Sequence, residues 1–287
     1  MTIKIASRSS KLALAQVKEF VSEYQISNYE IIKVKTEGDK KSARGETLFD
    51  KAHFVSDIQK CLLTGGADIA VHSAKDTPAK ESKGISRTFL LSKTPKDILI
   101  FKNDTKFDKE MRLGTSSLRR KLQAKHLLGS KNIFDLSGNV DTRLEKLYRG
   151  DYDCIILAKA GLERLDMLDE LKYEDMTWIT ASGQGTLALE FINNFHYLNL
   201  NDLDEVTEKI NTSIQSQRTV LDEINASCNS AISIESNKND LAISGEIYGK
   251  DKYICFSGSS SKEAIQNIKN QNGLMLLNEH NWYRIKY

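Results

Sequence analysis

Residues 2–24 read TIKIASRSSKLALAQVKEFVSEY. TIKIAS at 2–7 has strand character, and Ser9 or Ser10 can cap a helix whose apolar face is Ala13, Val17, Phe20, Val21 and Tyr24. Working outward, a second strand is predicted at 29–36 (YEIIKVKT) and a helix around 54–64 (FVSDIQKCLLT), closed by Gly65 and Gly66. A short buried strand, ADIAVHS, follows at 67–73. Strand, helix, strand, helix, strand is the order of a parallel sheet covered on both faces.

The same grammar recurs from about 97 to 165, in ILIFK, the turn GTSS, a helix from Leu118, NIFDL, a helix from Asn139, DCIILA and a helix after Lys159. Two such units in tandem imply a cleft between them. SGQGTLALE at 182–190 is expected to return the chain to the first unit, its glycines forming a turn before a helical run. The last segment differs: a helix containing SQRTVLDEI, three antiparallel strands (AISIES, LAISGEIYG, YICFSG) and a helix at SKEAIQNIKNQ. The predicted fold class is therefore α/β, with two α/β domains flanking a cleft and a small C-terminal α+β domain carrying a three-stranded antiparallel sheet. The expected boundaries are 1–93 with 182–203, then 97–179, then 207–287.

The 287 residues carry 41 basic and 39 acidic side chains, a net charge of +2, so no strong global field favours nucleic acid or an anionic membrane. Any preference for anions must be local. Cys61, Cys154, Cys228 and Cys255 form no CxxC pair and no ligand spacing with the histidines, so no metal site is expected. Cys61, Cys154 and Cys255 lie in apolar runs, where a thiol is ordinarily a small hydrophobe. The start lacks the unbroken apolar stretch of a signal peptide, and a soluble cytoplasmic protein is expected.

Residues 114–123, GTSSLRRKLQ, crowd Thr115, Ser116, Ser117, Arg119 and Arg120 into one turn at a helix start. A solvated helix face spreads its charges, so this cluster is suited to holding a negative group. In open α/β sheets ligands sit beyond the carboxyl ends of the strands, where helix N-termini also point. There the sequence places Ser7, Arg8, Ser9 and Ser10 after the first strand, and His72, Ser73, Lys75 and Asp76 after ADIAV. Ser137, Gly138, Asn139 and Arg143 follow NIFDL, and Lys159 and Arg164 follow DCIILA. A single arginine near a helix start is ordinarily solvated or locally paired. Five such places along one edge describe a cleft for a ligand with several carboxylates or phosphates, which arginine forks hold bidentately.

Asp76 is a lone acid among these cations. It reads either as charge balance or as a carboxylate that steadies positive charge or moves a proton, and spacing does not choose between them. Cys228, in NASCNSAIS, is the one thiol in a small polar stretch, either an incidental turn residue or a nucleophile able to carry a covalent group. GxxxxGK[ST] and GxGxxG motifs are absent and no Ser/His/Asp arrangement stands out, so nucleotide hydrolysis and ordinary acyl transfer lose support.

ASRSSKLALAQ, TEGD, ADIAVHSAKDTP, GTSSLRRKLQ, GNVDTRLEKL, ILAKAGLERL and GQGTLALE, in this order and followed by Cys228, resemble the porphobilinogen deaminase (hydroxymethylbilane synthase) family over nearly the whole chain. The resemblance implies two domains like periplasmic binding proteins plus a small cysteine-bearing one. It also implies stepwise joining of four porphobilinogen units, each losing ammonia, onto a dipyrromethane cofactor held by a thioether to Cys228. Asp76 matches the catalytic aspartate. Lys75, Thr115, Ser116, Ser117, Arg119, Arg120 and Arg143 match cofactor-binding positions, and Arg8, Ser10, Arg143, Arg164, Gln184 and Lys51 match substrate-binding ones. A monomer is expected, with porphobilinogen as its partner and neither nucleic acid nor membrane.

Three departures stand out. Ser137 replaces the arginine usual before the GN motif, removing one expected carboxylate clamp. Ala226 and Ser227 replace the glycines before the attachment cysteine, and Ala231 the proline after it. The loop before Phe54 is shorter and keeps only Lys51 of the usual GKG. The rival from another class is a two-domain anion receptor using the same cleft without catalysis, which would have no use for Cys228. A nucleic-acid binder using the arginines on phosphates fits the near-neutral charge least well.

Overall fold

The computed structural model describes residues 2–38, 55–192, 204–227, 229–237 and 239–280. Its strands form three sheets. The first has the order β2-β1-β3-β10-β4, from β1 (Ile3–Arg8), β2 (Tyr29–Val34), β3 (Ile69–Ser73), β4 (Ile85–Leu90) and β10 (Leu187–Ile192). The second has the order β7-β6-β8-β5-β9, from β5 (Asp97–Phe101), β6 (Arg112–Gly114), β7 (Asn132–Phe134), β8 (Cys154–Ala158) and β9 (Tyr173–Asp175). These orders are the same pattern. In each, three parallel strands are followed by a reversed one, β10 or β5, inserted before the edge strand.

Helix α1 (Lys11–Glu23) begins where predicted, with the Ser10 hydroxyl accepting from Ala13 N at 3.2 Å. Its apolar stripe buries Val17, Phe20 and Val21 against Ile5, Ile69, Leu187 and Leu189. Helix α2 (Ser56–Leu63) covers the opposite face, packing Ile58 and Leu62 on Ala6, Ala70 and Ile85. The second sheet is covered on both faces too. Helix α4 (Val140–Arg149) and the short α5 (Lys159–Glu163) bury Leu144, Leu147 and Leu162 on one side, and α3 (Leu118–Leu127) sets Ala124 on the other. Each leucine, isoleucine, valine or phenylalanine side chain so taken from water contributes about 1.5–3 kcal/mol. The third sheet, β11 (Ile232–Ser236), β12 (Ile243–Tyr248) and β13 (Tyr253–Gly258), is antiparallel as predicted. It packs against α6 (Glu205–Glu223), α7 (Ser261–Asn270) and α8 (Gly273–Asn278) through Val220, Leu221, Ile268 and Leu276.

The chain crosses between the first two sheets twice, from Leu90 to Asp97 and from Asp175 to Leu187. The crossings touch, Lys93 N donating to the Gly185 carbonyl at 3.1 Å. Gly185 has φ +87, and a Cβ there would lie 2.6 Å from Lys93 O, so only glycine lets the two segments run this close.

Four expectations need correction. SGQGTLALE contains no helix: its apolar run is β10, buried on both faces, where periodicity does not separate a strand from a helix segment. The two large sheets are mixed rather than parallel, because β5 and β10 enter from the crossings and run backwards. Strands β4 and β9 and helix α8 were not foreseen, the first two being edge strands of alternating or short pattern. Cys255 is exposed on edge strand β13, whose alternation turns Phe256 inward instead.

Candidate functional site

The strand ends of the first two sheets face one cavity of about 260 Å³. It receives the N-termini of α1, α3 and α4 at Ser10, Ser117 and Asn139, each presenting a partial positive charge. Ser117 caps α3 by accepting from Arg120 N at 3.5 Å. Capping uses a lone pair of the hydroxyl and leaves its proton to donate to an anion. Among the described residues, the charged side chains on the cavity wall are Arg8, Lys11, Lys75, Arg120, Arg143 and Arg164, with Asp76 and Asp141. Asp141 is paired with Lys11 at 3.3 Å across the cleft.

A second cavity of about 70 Å³ shares Lys75, Ser117 and Arg120 with the first and adds Arg119, Gln184 and Arg218. No acid lines it among the described residues. Cys228 lies outside the described residues, but Ser227 and Ser230 line the smaller cavity and Asn229 the larger. The two cavities therefore meet beside the cysteine loop. Lys51, too, lies outside the described residues.

The arginine pair expected to grip anions is itself gripped. Arg119 Nη1 donates to Asp97 Oδ2 at 2.8 Å, and Arg120 Nη2 and Nε donate to Asp97 Oδ1 at 2.6 and 3.0 Å. Trp178 Nε1 adds a bond to Oδ2 at 3.0 Å, and Gln184 Nε2 one to Oδ1 at 2.9 Å. Burial alone would raise the Asp97 carboxyl, but the two guanidiniums overrule it and hold it well below the usual carboxylate range. Two cations on one carboxylate leave a surplus positive charge at the junction of the cavities. Arg119 and Gln184 thus face the smaller cavity while anchoring to Asp97. Thr115 is buried, its Oγ1 accepting from Ser117 N at 3.3 Å, so it shapes the turn.

Arg143 Nε donates to the Gly138 carbonyl at 2.7 Å. Loss of solvent around its head group pushes its pKa down to about 10, with Arg120 and Arg8 adding to the fall and Asp76 opposing it. It stays charged at neutral pH, and all four groups line the larger cavity. Arg164 Nε meets Glu19 Oε2 at 2.5 Å and its Nη2 donates to the Leu91 carbonyl at 2.8 Å. Local pairing, the ordinary fate of such arginines, thus holds for Arg119, Arg120 and Arg164 even as they line the cavities. Ser137 lines the larger cavity with its hydroxyl 3.3 Å from Lys146 Nζ.

Two buried hydroxyl oxygens, Ser116 Oγ in the wall of the larger cavity and Ser182 Oγ in that of the smaller, have no hydrogen-bond partner among the described residues. An orphan of this kind costs about 1–3 kcal/mol unless a ligand satisfies it. Surplus cations, three helix N-termini and orphaned donors together fit a group bearing several carboxylates. Of the residues involved, sequence reasoning missed Asp97, Lys11, Asp141 and Ser182. Cys154 is fully buried and burial pushes its thiol up to about 12, so it has no nucleophilic part in this site.

The family profile described as porphobilinogen deaminase, dipyromethane cofactor binding domain, matches residues 3–199. The chain belongs to the porphobilinogen deaminase family. A probable porphobilinogen deaminase of Ignicoccus hospitalis is 40% identical over 79% of this chain and 79% of its own length. The porphobilinogen deaminase of Campylobacter fetus is 36% identical over 82% of this chain and 80% of its own length. Among solved structures, an ancestral cationic amino acid solute binding protein is 13% identical, covering 77% of this chain and 90% of that one at a TM-score of 0.45. The family profile spans Asp76, the GTSSLRR turn, Arg143, Arg164 and Gln184, and ends before the cysteine loop.

Proposed function

We propose that the protein joins four porphobilinogen molecules head to tail, releasing ammonia at each addition, to give the linear tetrapyrrole hydroxymethylbilane. It does so on a dipyrromethane attached through a thioether to Cys228, acting as a monomer in the cytoplasm. The presence of three separate sheets supports the three-domain division. The observation that carries this reading is that Asp76 lines a predominantly cationic cavity, whose other acid, Asp141, is paired with Lys11, beside the loop of Cys228 in a chain of this family.

Lys75, Ser116, Ser117, Arg119, Arg120 and Arg143 would hold the acetate and propionate groups of the dipyrromethane, with Thr115 and Asp97 fixing the turn and the arginine pair. Once bound, the dipyrromethane supplies the free pyrrole carbon that each incoming unit joins. Arg8, Ser10, Arg164, Gln184 and Lys51 are assigned to the incoming porphobilinogen and the growing chain. Carboxylates fixed at several points hold the reacting carbons in register, and a closed cleft keeps water from the electrophile left when ammonia departs. Asp76 stabilises positive charge on the pyrrole nitrogen and moves a proton as the aminomethyl group leaves. The receptor reading leaves Asp76 only to balance the neighbouring cations and has no use for Cys228.

The test is the intact mass of the denatured protein beside that of Cys228→Ser, together with ammonia release from porphobilinogen. Two linked pyrrole units in excess on the first and none on the second, with turnover lowered about 10²–10⁴-fold in Asp76→Asn, is the expected result. A bare mass that porphobilinogen does not increase, with no ammonia released, overturns the proposal in favour of the receptor.

A further inference from the structure

Arg164 is committed to a partner from the opposite side of the cleft. Its side chain is 3% exposed, it lines the larger cavity, and its Nε meets the carboxylate of Glu19, which stands on α1. Along α1, Leu12, Gln16 and Glu19 recur at helical spacing on one stripe, from which Leu12 and Glu19 meet Gly161 and Arg164 of the second unit. Leu12 Cδ2 lies 3.5 Å from where a Cβ on Gly161 would be, and Gln16 lines the same cavity as Arg164 while donating to Ser73 Oγ at 2.8 Å. Glu19 is not itself among the residues lining the cavity, but its carboxylate reaches from the first sheet's wall to Arg164, which is.

We propose that Glu19 is a specificity-determining residue whose carboxylate stands in for that of a substrate, holding Arg164 in the ligand-free cleft and yielding it when a pyrrole carboxylate arrives. The grip is of a kind that can be exchanged. Glu19 offers Arg164 one oxygen, Oε2, while Oε1 lies 3.5 Å from Lys93 Nζ in the first crossing. A substrate carboxylate that engages the guanidinium fork through both oxygens has the better geometry. Lys93 remains beside Glu19 after the exchange, so no uncompensated acid is left at the interface. Displacement taxes the affinity of every incoming carboxylate, and removing Glu19 lifts that tax.

The inference takes the identity of the incoming carboxylate from the proposed function, and its test is read in two independent ways. The first is the reactivity of Arg164 toward phenylglyoxal, followed by peptide mass, in the wild type and Glu19→Gln without substrate. The second is KM and kcat for porphobilinogen in both proteins and in Arg164→Gln with and without Glu19→Gln. Glu19→Gln is expected to label Arg164 several-fold faster, and added porphobilinogen to protect it again. KM is expected to fall about three- to tenfold with kcat within twofold, and the second substitution to change nothing once Arg164 is gone. Unchanged labelling, or an unchanged or raised KM with a lowered melting temperature, would make Glu19 a structural tie and overturn the inference. A wild type that releases no ammonia sinks the proposed function instead, and the labelling of Arg164 then decides this inference alone.

Discussion

Asp97 shows what a single residue contributes that its neighbours in sequence do not announce. It is fully buried and receives bonds from two arginines, a tryptophan and a glutamine. In Asp97→Asn those arginines face each other without their counter-charge, and the expected loss is about 3–5 kcal/mol at neutral pH. The pH dependence has a definite sign. A carboxyl held low in the folded protein stabilises it above its unfolded value, 3.8 here, and the contribution is lost as the pH falls toward the folded value. Urea midpoints from pH 7 downward should therefore separate wild type from Asp97→Asn most at neutral pH and converge below about pH 4. A gap that persists undiminished in acid would show that the asparagine acts by misfit instead of charge. Glu190 adds to the wild-type acid sensitivity: burial would raise it, but His72 and Arg87 draw it from 4.5 to about 2. The sequence made Arg119 and Arg120 legible through their crowding beside three hydroxyls. It hid Asp97, which reads as a turn acid before an apolar strand, because the pairing depends on β5 lying beside β8, a fact of sheet order.

At the scale of elements, strand–helix alternation was legible wherever a helix had a cap and a stripe, as in α1, α3 and α4. It failed at β10, because LALEFI buries residues of both faces, the paired Glu190 among them, and its neighbours in the sheet come from residues about a hundred positions earlier. What fixes β10 is the turn before it. Gly183 has φ +68, and a Cβ there would lie 2.8 Å from the Cβ of Ala74, which precedes Lys75 and Asp76 in a single 3-10 turn. Left-handed backbone costs a residue with a Cβ about 1–2 kcal/mol before any clash is counted. The clash bears on the turn that carries the proposed catalytic aspartate. Gly183→Ala is therefore expected to lower the melting temperature by several degrees, as a loss of about 2 kcal/mol would, and to depress kcat more than tenfold. Ammonia release and thermal unfolding measured on one preparation check both, and a loss of stability with kcat intact would mean that the turn absorbs the methyl group without moving Asp76.

Across the whole molecule, the cysteine-bearing part must hold its loop in register with two walls that belong to other sheets. Toward the second sheet it does so through Glu246 Oε2, which accepts from Gln123 Nε2 at 3.1 Å, and Gln123 Oε1 in turn accepts from Arg119 at 2.6 Å. Toward the first it uses α6, whose Asn211 exchanges two 2.8 Å bonds with the backbone of Phe89 on edge strand β4. Further along α6, Arg218 reaches the Asp76 turn itself, donating to the carbonyls of Thr77 and Ala74 at 2.7 and 2.5 Å. The sequence placed Arg218 on a helix but gave no sign of a target about 140 residues away. Since α6 leads directly into the cysteine loop, Arg218 ties the proposed point of cofactor attachment to the proposed catalytic carboxylate. Charge-assisted bonds to two buried carbonyls make Arg218→Met cost about 2–4 kcal/mol in a denaturant titration. The same variant should show a smaller cofactor-bearing fraction in its intact mass, because the loop and the turn are no longer held in register. Arg218→Lys can reach one carbonyl but lacks the planar fork for two, so it should recover part of the stability and of the loaded fraction together. If stability returned without loading, or loading survived in Arg218→Met, the clamp would serve the fold alone and the register of loop and turn would have to come from the Gln123–Glu246 contact.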